Sequence, residues 1–541
     1  MKRTRNTLRT LAATVVTLAA FAACHTPDNS GRMIFRYNES AGIATLDPAF
    51  AKDQAHIWVC SQLYGGLIEL DSSLVPQPAI AKSWTVSADG LTYRFTLRDD
   101  VYFHRNALFG TTDSTRRVVA SDFVYSFNRI LDPAVASPGL WIFSEVAEGG
   151  FAAPDDTTFV VTLRRPFAPF ISLLGMQYCS VVPHEVADHY GADFRRNPCG
   201  TGPFRFQMWK EGVKLVLRRN DLYFQHDEEG RRLPLLDAVA VTFIVDKQTV
   251  FLEFVKGNLD FMNSLDASYK DELLNPDGSL RNKYADRLCM TSTPYLNTEY
   301  LGFNLDDADS PFADRRVRQA LNYGFDRRKM MRYLRNNIGT PGVAGFVPPG
   351  LPGFDSAAYG YDYAPQRSAQ LLAEAGYPEG KGLPQLKLST TAGYLDLCKY
   401  IQQQLNLVGF DVKIDVNPPA ALREQIAQSR VDWFRGSWVA DYPDAENYLS
   451  LFVSDNFCPA GPNYTHFSSP AYDRLYRQAK AEPDPAVRTT LYRQLDSLAM
   501  AEAPVVVLYY DQILHFTHRN VSGLRSNAMN ALDLRKVAIS K

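Results

Sequence analysis

Cys24 is the residue whose surroundings point most directly to a chemical fate. Before it stand Lys2, Arg3, Arg5 and Arg9, then a short apolar stretch from Leu11 to Ala20, then Phe21-Ala22-Ala23. A basic start, a short apolar run and small residues at the cut are the layout of a bacterial secretory signal over residues 1–23. A cysteine directly after the cut predicts the lipoprotein form, in which its thiol takes a diacylglyceryl group and Cys24 becomes the first residue of the mature chain. Phe21 stands where such signals usually carry leucine, and cleavage without a lipid is the alternative. The apolar run is shorter than the ~20 residues a bilayer span needs. An anchor with more than one acyl chain holds a protein firmly to a membrane. The predicted location is therefore the cell envelope, on a membrane surface facing the periplasm or the exterior. Residues 24–32 form a short polar tether.

Other reactive-looking spacings lead elsewhere. His184-Glu185-Val186-Ala187-Asp188-His189 comes close to a zinc-protease motif, but its histidines are five apart. Two ligands on one helix face need a spacing of four. Gly200-Thr201-Gly202-Pro203-Phe204 shares only its first glycines with a dinucleotide loop and reads as a tight turn. There is no G-x-S-x-G elbow and no P-loop, and the nine histidines are scattered. Nothing here asks for an enzyme, a cofactor or a metal. After Cys24 come Cys60, Cys179, Cys199, Cys289, Cys398 and Cys458, an even number that permits disulfides in an exported protein. Cys179 and Cys199 flank a short helical segment and are the one pair expected to meet.

These candidates have to be carried by a large body. The chain has 541 residues, too many for one core, which predicts two or three domains. Losing the signal moves the formal charge from −2 to −6, which gives no support for nucleic-acid binding. Tyr93, Phe95 and Leu97 alternate within Thr92 to Arg98, the period of a half-buried strand. Met33 to Tyr37, Phe159 to Leu163 and Val239 to Val245 also read as strands. From Arg315 the period becomes helical through Val317, Ala320, Leu321 and Phe325, and Asp326 can cap a second helix bearing Met330 and Met331. Further helices are expected over Gln366 to Ala375, after Pro365, and over Ala486 to Ala501, after Pro485. Strands and helices mix throughout, which predicts an α/β or mixed α+β fold.

The order of segments then resembles a known family. Thr45-Leu46-Asp47-Pro48, Leu63-Tyr64-Gly65-Gly66-Leu67 and Ala81-Lys82-Ser83-Trp84 come first. Asp89-Gly90-Leu91-Thr92-Tyr93-Arg94-Phe95 and Val101-Tyr102-Phe103-His104 follow, then Asn197-Pro198-Cys199-Gly200-Thr201-Gly202-Pro203-Phe204. Gly257-Asn258-Leu259-Asp260, Val317-Arg318-Gln319-Ala320, Leu371-Leu372-Ala373-Glu374-Ala375-Gly376-Tyr377 and Asp441-Tyr442-Pro443-Asp444 complete the series. In this order they are similar to the extracytoplasmic solute-binding proteins of ABC importers, of the peptide/nickel-binding type (family 5), nearest to the oligopeptide- and dipeptide-binding proteins.

The resemblance implies a two-lobed periplasmic-binding-protein-like fold (type II, cluster C) with an extra satellite domain. Lobe I would be residues 33–67, 197–294 and 512–541, the satellite domain 68–196, and lobe II 295–511. It implies a short peptide ligand enclosed by lobe closure, ABC transporter permease subunits as partners, a monomer, and no cofactor. Asp441 stands where the family places an aspartate that neutralises the peptide ammonium. Arg435 matches an arginine that can meet the peptide carboxylate, with a structural salt bridge as its alternative. Trp438 would wall a pocket; Ser437 and Val439 beside it, and Asp53, Gln54 and Ala55 in the first lobe, would offer backbone groups. Tyr295 and Tyr300 would line the cleft. The oligopeptide-type disulfide cannot form, because its positions hold Asn297 and Val439, and Asn322 stands where a lysine can occur. Nickel-chelate-, haem-, glutathione- and sugar-binding relatives share the framework, so the receptor role for a non-peptide solute is the alternative, as is a surface adhesin or signalling lipoprotein reusing the fold.

Overall fold

The computed structural model describes residues 31–264, 269–357 and 360–540. The expected signal, Cys24 and nearly all of the tether lie outside them. One sheet of eleven strands runs through both lobes. Its first-lobe half takes Phe204–Lys210, Lys214–Arg219, Ala238–Thr242, Ile34–Asn38 and Phe261–Asn263 in that order. Its second-lobe half takes Trp433–Val439, Leu386–Thr390 and Val412–Val416, with Thr340–Pro341 off the main path. The halves are joined by two long antiparallel strands, Leu288–Phe303 and Val505–His518. Their ladder pairs Leu288 with His518 through to Pro294 with Gln512, breaks, and resumes from Thr298 with Tyr510 to Gly302 with Val505. Parallel and antiparallel pairs are mixed, so this is the α/β two-lobed architecture expected.

A separate four-stranded antiparallel sheet is formed by Ala81–Val86, Thr92–Leu97, Thr158–Leu163 and Val146–Asp155. Helix Ala120–Leu131 covers it, with Phe127 edge-on to Phe159 and Phe151. Its core is continuous with that of the first lobe, through Phe35, Trp58, Phe95 and Phe204. The second lobe has cores of its own on the two faces of its half-sheet.

Local signals act where the sequence places them. Asp326 caps Arg327–Leu334 by accepting the Lys329 N–H, and Met330 and Met331 are buried beneath. Asp484 accepts two N–H groups at the start of Pro485–Glu502, and that helix stops at Ala503 in the left-handed region, just before Pro504. The strand expected to reach Val245 ends at Thr242, because the Asn38 side chain takes the next available N–H, that of Ile244.

The expected Cys179–Cys199 bridge is absent, and all six described cysteines are free. The Cys179 thiol lies against the Leu173 carbonyl and the Cys199 thiol against the His104 carbonyl, so each is held in its own surroundings. Burial pushes the Cys199 thiol up to about 12.

The Gly200-Thr201-Gly202 turn explains its own composition. A Cβ on Gly200 would meet the Leu63 carbonyl oxygen at 2.1 Å, and one on Gly202 would meet the Leu63 carbonyl carbon at 2.5 Å. Glycine is needed there for close approach to the end of helix Gln54–Leu63. His104 spans the turn: its Nδ1 accepts the Gly200 N–H at 3.3 Å and its Nε2 lies 3.1 Å from the Gly202 carbonyl, to which it donates. That pattern is the neutral ring, and burial lowers its pKa from 6.5 to about 4. An unfolded His104 takes a proton near pH 6.5, and the folded one only near pH 4. The unfolded state therefore binds more protons between these values, and stability falls as pH drops through that window, by up to ~3 kcal/mol. Denaturant titrations of the protein and of His104→Gln from pH 4 to 7 check this. The difference between the two should grow with rising pH and level off above 6.5; a difference independent of pH would remove His104 from the linkage.

Candidate functional site

A cavity of about 750 Å³ opens where the two lobes and the four-stranded sheet's unit meet. Ser61 and Gln62 line it from helix Gln54–Leu63, Tyr178 from the unit of the small sheet, Asp441 from the second lobe, and Ser526 and Met529 from the C-terminal segment. The lobes touch beside it. Tyr442 inserts into the first-lobe core with its ring 6.1 Å from Trp141. Lys480 pairs with the buried Glu145 at 2.9 Å, and the Lys480 carbonyl accepts the Ala168 N–H.

Asp441 follows the end of strand Trp433–Val439. One amide, Asn447 on helix Glu446–Leu449, sets this turn. Its Oδ1 accepts the indole N–H of Trp438 at 2.9 Å and the backbone N–H of Asp441 at 3.2 Å, and its Nδ2 donates to the Asp441 carboxylate at 3.3 Å. The carboxylate is open to solvent, yet the surrounding walls desolvate it and raise its pKa above the ordinary aspartate value. A surface this accessible with walls this close is the bottom of a cleft. Among the described residues no ion pair engages Asp441, whereas across the cleft Tyr178 is raised by burial and by the charges of Asp441 and Asp53. Asp441 thus carries a negative charge with no ion-pair partner among the described residues.

Of the expected residues, the cavity wall includes Asp441 alone. Asp53 caps helix Gln54–Leu63 and holds His56 through Nδ1 at 2.6 Å. Gln54 donates to the Asn530 carbonyl, which also takes the Trp58 indole N–H at 2.6 Å, and Ala55 is buried. Ser437, Trp438 and Val439 pair on one side with Glu299, Thr298 and Asn297. On the other side their strand meets Leu386–Thr390 only at Phe434. Beyond Phe434 that backbone edge has no strand partner among the described residues, and Val439 is 42% exposed. Tyr295 is half-buried at the break in the crossing ladder. Tyr300 does not line the cleft: it is only 3% exposed, its ring edge-on to Phe346 and Phe434, because the close approach of Gly436 draws it into the core.

Arg435 forms a salt bridge, one of its two expected roles. It ion-pairs with Glu299 on the neighbouring strand, and its guanidinium lies 3.3 Å from the centre of the Tyr394 ring. A second pair, Arg335 with Asp511 at 2.7 Å, sits close by under Tyr509. Sequence reasoning missed Glu299, Tyr394, Tyr178 and Asn447. Only Asn447 carried a local signal, a polar residue in the turn that follows Asp441.

The geometry defines a class: a two-lobed protein with a charged cleft where the lobes meet. Comparison with known proteins agrees. The profile of the bacterial extracellular solute-binding proteins, family 5 Middle, matches residues 75–457. The chain belongs to this family. It is 27% identical over 489 residues to the glutathione-binding protein GsiB of Salmonella typhi, covering 89% of this chain and 90% of that protein. Its fold matches the ABC transporter-associated periplasmic binding protein DppA from Helicobacter pylori in complex with peptide STSA. That match has a TM-score of 0.76 and 25% identity, over 94% of this chain and 99% of the other. HbpA2 from Haemophilus parasuis matches in fold with a TM-score of 0.81 at 22% identity, over 94% and 100%. As a family member the chain is a substrate-binding protein of ABC importers, a non-enzymatic transport receptor of periplasmic type that delivers its ligand to ABC permeases. Among the described residues no helix is long and apolar enough to cross a membrane.

The buried Arg435–Glu299 pair is testable. Glu299→Gln leaves a desolvated guanidinium unpaired and should cost roughly 3–5 kcal/mol in denaturant unfolding. Joint replacement, Glu299→Gln with Arg435→Met, should recover most of that loss. Equal losses in the single and double variants would mean that the pair is not the stabilising unit.

Proposed function

We propose that the chain is a lipid-anchored, monomeric receptor that captures short peptides with a free α-ammonium by closing its lobes, and presents them to an ABC permease. On this reading the lobes are 33–67 with 197–294 and 512–541 against 295–511, with 68–196 as the satellite domain. The observation that carries the reading is the unpaired Asp441 carboxylate in the cleft. A ligand ammonium there supplies the missing counter-charge, and the closed form then binds tighter than the open one. A ligand drives closure only through such a difference in affinity. The unpartnered edge of strand Trp433–Val439 suits an extended peptide, because main-chain hydrogen bonds give affinity without demanding a particular side chain. The relatives named for glutathione and for peptide STSA support this choice, since both ligands are peptides with a free α-ammonium. Acylation at Cys24 would hold the body at the membrane.

Calorimetry with di-, tri- and tetrapeptides tests the reading. Asp441→Asn should weaken binding of a free peptide by roughly 2–5 kcal/mol, and N-acetylation of the peptide should do the same in the unmodified protein. Undiminished affinity in the variant would take Asp441 out of the site. Tight binding of a non-peptide solute alone would keep the receptor and replace its ligand. Cys24→Ala should release the protein from the membrane fraction.

A further inference from the structure

Away from the cleft, four polar side chains of the second lobe converge. The Cys458 sulfur lies 3.1 Å from His466 Nε2. His466 Nδ1 lies 2.6 Å from the Asp306 carboxylate on the opposite side of the ring. The Ser429 hydroxyl lies 3.1 Å from the sulfur and 3.0 Å from the same Nε2. The Cys458 carbonyl is also 3.0 Å from Nε2. The ring is held flat, stacked on Phe457 at 4.6 Å with 7° between planes. Two of the residues that aim into the cluster, Ser429 and His466, have φ of 53°, a costly region for residues with a side chain.

This is the geometry of an activated nucleophile: thiol to imidazole, imidazole to an orienting carboxylate. Asp306 accepts the Nδ1–H hydrogen bond, and a thiol proton passed to Nε2 is then shared between the sulfur and the Cys458 carbonyl, both placed to accept it, which favours the thiolate beside a charged ring. The Ser429 hydroxyl is placed to donate to the resulting thiolate. The other buried thiols lack this arrangement: Cys60 lies against the Leu46 carbonyl, Cys179 against that of Leu173 and Cys199 against that of His104. Cys458 is itself only 4% exposed. That enclosure rules out a bulky acyl substrate. Asp306, by contrast, is half exposed, so the cluster lies close to the surface.

We propose that Cys458, with His466 and Asp306, is a modification site: a reactive thiolate that hydrogen peroxide oxidises to the sulfenic acid. The sulfur attacks one peroxide oxygen, an S–O bond forms and the O–O bond breaks. The departing hydroxide takes the Nε2 proton from His466 and leaves as water. The sulfur gives up two electrons and the peroxide gains them.

The test is hydrogen peroxide treatment of the whole protein with a sulfenic-acid trap, read by peptide mass spectrometry at every cysteine. Cys289, half-buried but more exposed than Cys458, is the internal control. Cys458 should be labelled at least ten-fold faster than Cys289 at neutral pH. Asp306→Asn, a change at a half-exposed carboxylate, should slow labelling at Cys458 and shift its pH–rate profile upwards, leaving Cys289 unchanged. His466→Asn should remove the advantage altogether. A variant that merely loosened the loop would speed labelling, so slowing is diagnostic. Faster labelling of Cys289, or an Asp306→Asn profile identical to that of the unmodified protein, overturns the proposal.

Discussion

Everything in this molecule depends on one ribbon of paired backbone. Strands Leu288–Phe303 and Val505–His518 run through both lobes, and each half of the large sheet is built outward from one end of that ribbon. An antiparallel pair resists shear but bends where its ladder is interrupted. The wider of its two interruptions falls between Pro294 and Thr298, where the ribbon passes from one half of the sheet to the other. There Leu296 holds two neighbours at once: its N–H donates to the Ala528 carbonyl and its carbonyl accepts the Ala440 N–H. The break in the ribbon is therefore tied directly to the segment that carries Asp441. A movement between lobes about this point would carry the site with it, the behaviour a hinge-closing receptor requires.

The same strand that leads to Asp441 also carries Arg435, and the two charges are treated in opposite ways. Arg435 is buried, and burial of a charge is tolerable only with a partner. Glu299 supplies it from across the ladder, and Tyr394 covers the guanidinium. Asp441 stays open to solvent with only the Asn447 amide donating to it, a neutral contact that positions the carboxylate without cancelling its charge. Leaving this charge unpaired costs the protein some stability, which the ligand ammonium of the proposed function would recover.

Much of the fold was legible beforehand because its signals are local. Asp326 and Asp484 cap the helices that follow them, the alternation of Tyr93, Phe95 and Leu97 matches a strand with one buried face, and the Gly200-Thr201-Gly202 turn sits where expected. The site was legible in part. Asp441 and Arg435 could be named, but the role of Arg435 stayed open between ligand and salt bridge, and Tyr300 was expected in the cleft and lies in the core. The cysteines misled for the same reason. An even count permits bridges, but whether Cys179 and Cys199 meet depends on how distant segments stack.

By itself, then, the sequence determined what depends on neighbours within a few residues: helix ends, strand faces, turn glycines, and a family-like order of motifs that implies two lobes. Only the tertiary structure decided what depends on partners far apart in the chain. It brought Glu299 to Arg435, 136 residues away, Tyr178 across from Asp441, and Asp306 and Ser429 to the Cys458–His466 loop. The physical reason is that electrostatics and hydrogen bonding act over a few ångströms of space, and only the folded ribbon and sheets set which side chains lie that close.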